Sequence, residues 1–192
     1  NPLTVTLDAL NAKLDLLNEK CIVNHSCYFG ATNNNYTEFD KLDKHRVCGI
    51  KLFMGSSTGN MLVDKMNSLL NIFNGTDMLI AAHCEDQETI KNNIEKYKQK
   101  YKGADDIPIS AHPSIRSVPA CYASSELAVR LAKIAGARLH ILHVSTAKEL
   151  QLFSDEPLAN KNITAEACVA HLLFTLTHYN SLGARIKCNP AV

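Results

Sequence analysis

Apolar residues recur along the chain in two spacings, one typical of amphipathic helices and one typical of short buried strands. The helical spacing predicts helices over 4–20, 36–45, 60–73, 86–102, 119–135, 146–153 and 171–181. Apolar, strand-like runs cover 21–31 and 162–169 and also surround Lys51, His83 and His143. Thr4 or Thr6 is a candidate N-cap for the first helix.

The order of these elements favours an α/β fold, because strands separated by helices of ten to seventeen residues form βαβ units with a parallel sheet. We therefore predict one α/β domain over residues 1–192. Chemistry in such folds gathers at the carboxyl ends of the strands. The longest irregular stretch, 103–118, is expected to form a functional loop.

Bulk composition excludes several kinds of partner. Of the 192 residues, 46% are hydrophobic and 20% charged, and the net charge is +1. This balance gives no reason to expect nucleic acid or an anionic membrane surface as a partner. No apolar run approaches the roughly 18 residues of a membrane span.

The seven cysteines form no Cys-x-x-Cys pair, and their number is odd. Several lie inside apolar strands, where a free cysteine behaves as a small hydrophobic residue. We therefore predict a reducing, cytoplasmic location.

Three residues that could serve as bases or metal ligands fall at the ends of three successive apolar strands. Lys51 precedes a turn rich in Gly and Ser at 55–59, and His83 and His143 end the next two strands. A lysine buried there must be neutralised, chemically modified, or paired with a carboxylate such as Glu85. His140 competes with His143, and strand alternation predicts that the two side chains lie on opposite faces, with His143 nearer the site.

This combination of residue types suits a zinc site. Two neutral imidazoles are good Zn²⁺ ligands, whereas an ammonium ion repels the metal. Burial lowers the pKa of a lysine and makes the free amine available. Reaction of that amine with CO₂ would give an anionic carbamate, whose two oxygens can bridge two metal ions.

The motifs around these residues resemble those of cyclic amidohydrolases, and most closely those of dihydroorotases. The matching segments occur in order along nearly the whole chain. They are Gly49–Gly59, Ala81–Asp86, His112–Ser117, His140–Thr146, Thr164–Leu172 and Lys187–Pro190.

The resemblance implies a TIM (β/α)₈ barrel with two zinc ions. Lys51 would be the carboxylated lysine that bridges the metals, and His83 and His143 would bind the more buried zinc. Asn189 would contact the dihydroorotate ring, and His171 would have a structural or supporting role. The reaction implied is the interconversion of dihydroorotate and N-carbamoyl-L-aspartate in pyrimidine biosynthesis, by a homo-oligomeric enzyme.

Two parts of the family pattern are missing from these 192 residues. The His-x-His motif of the first strand is expected upstream of Asn1, and the aspartate that acts as general base is expected beyond Val192. A complete barrel needs about 250 residues. We therefore expect an internal part of a longer enzyme, containing strands three to seven, with no general base of its own. In isolation it should be inactive and should self-associate through open strand edges.

Three other interpretations remain open at the level of the sequence. A hydantoinase or allantoinase would share the lysine and both histidines, although the Lys187–Pro190 segment favours dihydroorotase. A non-catalytic amidohydrolase-like scaffold would usually have lost such ligands. An unrelated α/β domain would need three motifs to coincide by chance.

Overall fold

Parallel strands joined by helices form the centre of the molecule. The computed structural model describes residues 2–55, 61–103, 105 and 107–192, and five strands form one sheet among them. Their order in the sheet follows the chain, and every neighbouring pair is parallel. The strands are β1 Cys27–Gly30, β2 Val47–Phe53, β3 Ile80–His83, β4 Leu139–Ile141 and β5 Ile163–Ala165.

Helices follow the strands in the alternation that the sequence predicts, which confirms the α/β class. The α-helices are α1 Leu7–Lys20, α2 Met66–Asn74, α3 Gln87–Lys100, α4 His112–Ile115, α5 Val118–Ala135, α6 Val169–Leu173 and α7 Tyr179–Leu182. Short 3₁₀ helices occupy Tyr36–Lys41, Ile109–Ala111, Glu149–Leu152, Leu158–Asn160, Leu176–His178 and Gly183–Ile186. In the part of the chain that the structure describes, no helix is long and apolar enough to cross a membrane.

Local residue chemistry sets several of the helix ends. The side chain of Thr6, one of the two predicted caps, accepts a hydrogen bond from the Ala9 N–H and begins α1. Asp86 caps α3 in the same way through the Thr89 N–H. Gly136 follows α5 with φ of 65°, a left-handed conformation that a residue without Cβ adopts readily.

The sheet separates an apolar face from a polar one. On one face Ile50, Leu52, Ile80, Leu139 and Ile141 are buried and belong to a core that includes residues of α2 and α5. The register aligns Lys51 with Ala81, His140 and Thr164, and Phe53 with His83. Because aligned residues point to the same side of a sheet, the opposite face carries the polar side chains Lys51, His83, His140 and Thr164.

The structure also corrects several predicted element bounds. The loop predicted at 103–118 contains a 3₁₀ turn and the helix α4. The helix predicted at 171–181 is broken, because Phe174 and Thr175 are extended and Thr175 starts a new turn through a capping box with His178. Of the turn predicted at 55–59, only Gly55 lies within the described residues. The helix predicted at 60–73 begins at Met66 in the structure, and residue 60 lies outside the described residues.

Candidate metal centre

His83 is the last residue of β3 and lies at the carboxyl edge of the sheet, with only 5% of its surface exposed. Its Nδ1 is 3.1 Å from Nε2 of His143, although sixty residues separate the two in the chain. The two rings meet edge to face with their centroids 4.8 Å apart. The structure therefore brings together two of the three residues predicted to bind metal.

A change of backbone direction carries His143 to this position. β4 ends at Ile141, and His143 has φ of 44°, which is unusual for a residue other than glycine. The N–H groups of Leu142 and Val144 donate to the carbonyl oxygens of Ala82 and Glu166, at 3.0 and 2.7 Å. These bonds fix the turn to the two neighbouring strands.

The prediction that His140 and His143 lie on opposite faces is wrong. Alternation applies only within a strand, and β4 stops between them. His140 shares the face of Lys51 through the strand register. Its ring nitrogens lie 2.8 Å from the Thr164 hydroxyl and 3.2 Å from the Glu166 carboxylate, so its polar atoms are already bound.

Lys51 lies on β2 without a carboxylate partner among the described residues. Its Nζ donates to the Leu52 carbonyl at 3.1 Å and lies 3.5 Å from the centroid of the Phe53 ring. Burial lowers the pKa of the Lys51 amine from 10.5 to about 8. The alternative that Lys51 pairs with Glu85 is wrong, because the Glu85 carboxylate pairs with His83 and Arg116 and forms no ion pair with Lys51.

The charge of Lys51 also acts on the ring of His143. Burial, then His83, then the charge of Lys51 lower the pKa of His143 to about 4. An imidazole with so low a pKa is neutral at physiological pH, which is the form that binds metal.

Glu85 and Arg116 complete the surroundings of His83 and were not given this role from the sequence. Nε2–H of His83 donates to Oε2 of Glu85 at 2.9 Å, and the Arg116 guanidinium donates to the same oxygen. Glu85 is fully buried. Burial raises the pKa of its carboxyl, but the hydrogen bond from His83 and the charge of Arg116 outweigh it and leave the pKa lowered. The signal in the sequence was an acidic residue two positions after His83, at the end of a buried strand.

Gly55 lets the ends of β2 and β3 approach each other. A Cβ placed on Gly55 would lie 1.8 Å from the carbonyl oxygen of Glu85. No side chain can occupy that space, so the glycine is required for the close contact between the two strand ends.

The other two predicted functional residues are His171 and Asn189, and His171 contacts Cys188 and Pro190, the two chain neighbours of Asn189. Nε2–H of His171 donates to the Pro190 carbonyl at 3.1 Å, and Nε2–H of His112 donates to the Cys188 carbonyl at 2.8 Å. The Asn189 side chain is exposed. No hydrogen bond among the described residues joins it to His83 or His143.

The paired histidines fit a zinc ion. Two nitrogen ligands at 2.0–2.1 Å from one tetrahedral zinc are roughly 3.4 Å apart, close to the observed separation of 3.1 Å. Nδ1 of His143 is buried and has no hydrogen-bond partner in the described part of the chain. Within that part no three His, Cys, Asp or Glu side chains are grouped to hold a metal. Lys51 remains the third metal ligand that the sequence predicts.

Comparison with known proteins found curated relatives of the chain but no matching family profile. A dihydroorotase of Methanosphaera stadtmanae is 27% identical over 196 residues, which are 98% of this chain and 42% of the relative. An allantoinase of Deinococcus radiodurans is 25% identical over 198 residues, covering 99% of this chain and 42% of the relative. An allantoinase of Escherichia coli K12 is 24% identical over 203 residues, covering the whole chain and 43% of the relative. The chain thus spans about two fifths of the length of these relatives.

Solved structures confirm the predicted fold. The L-hydantoinase (dihydropyrimidinase) of Arthrobacter aurescens superposes with a TM-score of 0.87 and 24% identity, over 98% of this chain and 42% of that one. A D-hydantoinase structure gives a TM-score of 0.75 and 19% identity, over 92% of this chain. The sheet is therefore part of a TIM barrel. Together with the sequence relatives, this shows that the homologues of the chain are enzymes of the cyclic amidohydrolase superfamily.

Proposed function

We propose that this chain forms the central part of a zinc-dependent hydrolase of cyclic amides, and that its substrate is dihydroorotate. The observation that carries the proposal is the convergence of His83 Nδ1 and His143 Nε2 at 3.1 Å, beside a lysine without a carboxylate partner among the described residues. The dihydroorotase and allantoinase relatives support an activity on ring amides.

His83 and His143 would bind one zinc ion through these two nitrogens. Nδ1 of His83 already points at the ring of His143, because the other ring nitrogen, Nε2, is hydrogen-bonded to Glu85. His143 would present Nε2, so the single hydrogen of its neutral ring would have to lie on Nδ1. When bound, zinc supplies Lewis acidity toward the ring carbonyl and a hydroxide nucleophile near neutral pH.

Lys51 would join the site as a carbamate. The neutral amine attacks CO₂, a C–N bond forms, and one proton leaves to solvent. With a pKa of about 8, roughly a quarter of the amine is neutral at pH 7.5, against about 0.1% for an ordinary lysine. Burial of Lys51 therefore raises the fraction of neutral amine, the form that reacts with CO₂, roughly 200-fold at this pH.

The choice of dihydroorotate rests on the Lys187–Pro190 segment and on the dihydroorotase relative. Hydantoin and allantoin are the competing substrates, since all three contain a cyclic amide. We further propose a cytoplasmic enzyme, consistent with its seven free cysteines. Its assembly into homo-oligomers stays a prediction.

A ring-opening assay on the whole protein that carries this chain tests the proposal. The three substrates are compared side by side, and each measurement is repeated with Lys51→Ala and with Lys91→Ala, an exposed lysine on α3. We expect turnover of dihydroorotate that is lost in Lys51→Ala and kept in Lys91→Ala. Turnover of hydantoin or allantoin alone would overturn the assignment of dihydroorotate as the substrate. No turnover of any of the three would favour a non-catalytic scaffold.

A further inference from the structure

The buried Glu85–Arg116 pair contacts His83 on the side away from His143. Oε2 of Glu85 accepts both the His83 Nε2–H, at 2.9 Å, and the Arg116 guanidinium. The Glu85 side chain is fully buried, and only 12% of the Arg116 side chain is exposed. An arginine so well shielded from water keeps Glu85 ionised and restricts its position.

An ionised carboxylate can only accept hydrogen bonds. The ring nitrogen facing Glu85, Nε2, must therefore carry the hydrogen, and Nδ1 is left as the nitrogen able to offer a lone pair. A histidine without this partner exchanges freely between its two tautomers, and only one of them presents a lone pair toward His143.

The segment that carries Arg116 is itself held in place. Nδ2 of Asn93, on α3, donates to the Ile115 carbonyl at 3.0 Å and contacts the Ser117 hydroxyl at 3.2 Å, on either side of Arg116. At the other end of α4, His112 is anchored to the Cys188 carbonyl. These contacts hold residues 112–117 in place and keep Arg116 next to Glu85.

We propose that Glu85 and Arg116 are positioning residues that commit Nδ1 of His83 as its metal-binding nitrogen. The inference rests on the proposed function, because it assumes that the His83–His143 pair binds zinc. Neither residue would touch the metal or the substrate. Partners of this kind commonly change metal affinity about 10–100-fold when removed.

The test measures two properties of the whole protein that carries this chain. The first is the tautomer of His83 in the metal-free protein, read from the ¹⁵N chemical shifts of the ring. The second is the zinc dissociation constant, measured by competition with a chelator. Both properties are compared in the unsubstituted protein and in four variants, Glu85→Ala, Glu85→Gln, Arg116→Ala and Arg116→Lys. The conservative variants Glu85→Gln and Arg116→Lys are included because the alanine variants could fail to fold.

A matched control is Glu149→Gln. Glu149 is also a buried carboxylate, with 3% of its surface exposed, but it accepts hydrogen bonds from Ser125 and Thr146 at 2.6 and 2.8 Å. The control reports the effect of neutralising a buried carboxylate that is not bonded to His83. We expect its zinc affinity to stay within about twofold of the parent value.

We expect hydrogen on Nε2 of His83 in the unsubstituted protein, a mixture of tautomers in Glu85→Ala, and zinc binding weakened roughly 10–100-fold in the same variant. Glu85→Gln and Arg116→Ala should show smaller losses in the same direction, and Arg116→Lys should recover part of the effect. Unchanged tautomer and unchanged affinity in folded Glu85→Ala or Glu85→Gln would overturn the proposal. If the unsubstituted whole protein binds no zinc, the proposed metal site fails, while the tautomer measurement still decides whether Glu85 orients the ring.

Discussion

Replacing Lys51 with methionine should stabilise the metal-free protein. The lysine is buried on β2, where its pKa falls from 10.5 to about 8, and no carboxylate pairs with it in the described part of the chain. At ~1.4 kcal/mol for each pH unit, this difference corresponds to about 3 kcal/mol of unfavourable free energy. The contact of Nζ with the Phe53 ring returns about 0.5–2 kcal/mol. We therefore expect Lys51→Met to raise the free energy of unfolding by about 1–3 kcal/mol at pH 7.

The pH dependence of this gain is fixed by the sign of the pKa change. Well below pH 8 the amine is charged in both the folded and the unfolded chain, so the penalty is nearly complete. Between pH 8 and 10.5 the folded protein loses the proton while the unfolded chain keeps it, and the parent protein gains stability. The advantage of the variant should thus shrink by about 2 kcal/mol between pH 7 and pH 9.5.

Urea unfolding in CO₂-depleted buffer with a chelator measures this directly. Lys91→Met, at an exposed position on α3, is the control and should change stability by less than about 0.5 kcal/mol. A Lys51→Met variant that is less stable than the parent at pH 7 would refute the reasoning. So would a gain that does not change with pH.

Three further substitutions test other parts of the structure. Gly55→Ala places a Cβ 1.8 Å from the Glu85 carbonyl, so it should lower stability by several kcal/mol in urea unfolding and weaken zinc binding; parent-like values would contradict the close contact. Gly136→Ala meets no atom within 4 Å, so it should cost only about 1 kcal/mol, from its φ of 65°. Ser125→Ala removes one of the donors to Glu149 and should cost about 1–3 kcal/mol, and a neutral result would show that water replaces it.

The sequence predicted the fold class well because the signals for it are local. Periodicity separates helices from strands, Thr6 and Gly136 mark helix ends, and the succession of elements implies a parallel sheet. The helix predicted at 171–181 failed because extended Phe174 and Thr175 interrupt a pattern that is otherwise helical. The helical period of its apolar residues contains no information about that break.

The site was predictable in its main residues and not in its supporting contacts. Lys51, near the end of β2, and His83, the last residue of β3, stand out as polar residues in apolar strands. The approach of His143 depends on a left-handed turn that the alternation rule does not include. The bond between Arg116 and Glu85 joins residues thirty-one positions apart, so it becomes visible only after the chain has folded.

The most direct test of the proposed metal site is a crystal structure of the whole protein that carries this chain, grown with zinc and bicarbonate, with the metal located by its anomalous scattering. We expect a peak bonded to Nδ1 of His83 and Nε2 of His143, with Lys51 carboxylated and an oxygen of its carbamate bonded to the same ion. A peak elsewhere, such as beside His171 and Cys188, together with an unmodified Lys51, would contradict the proposed centre.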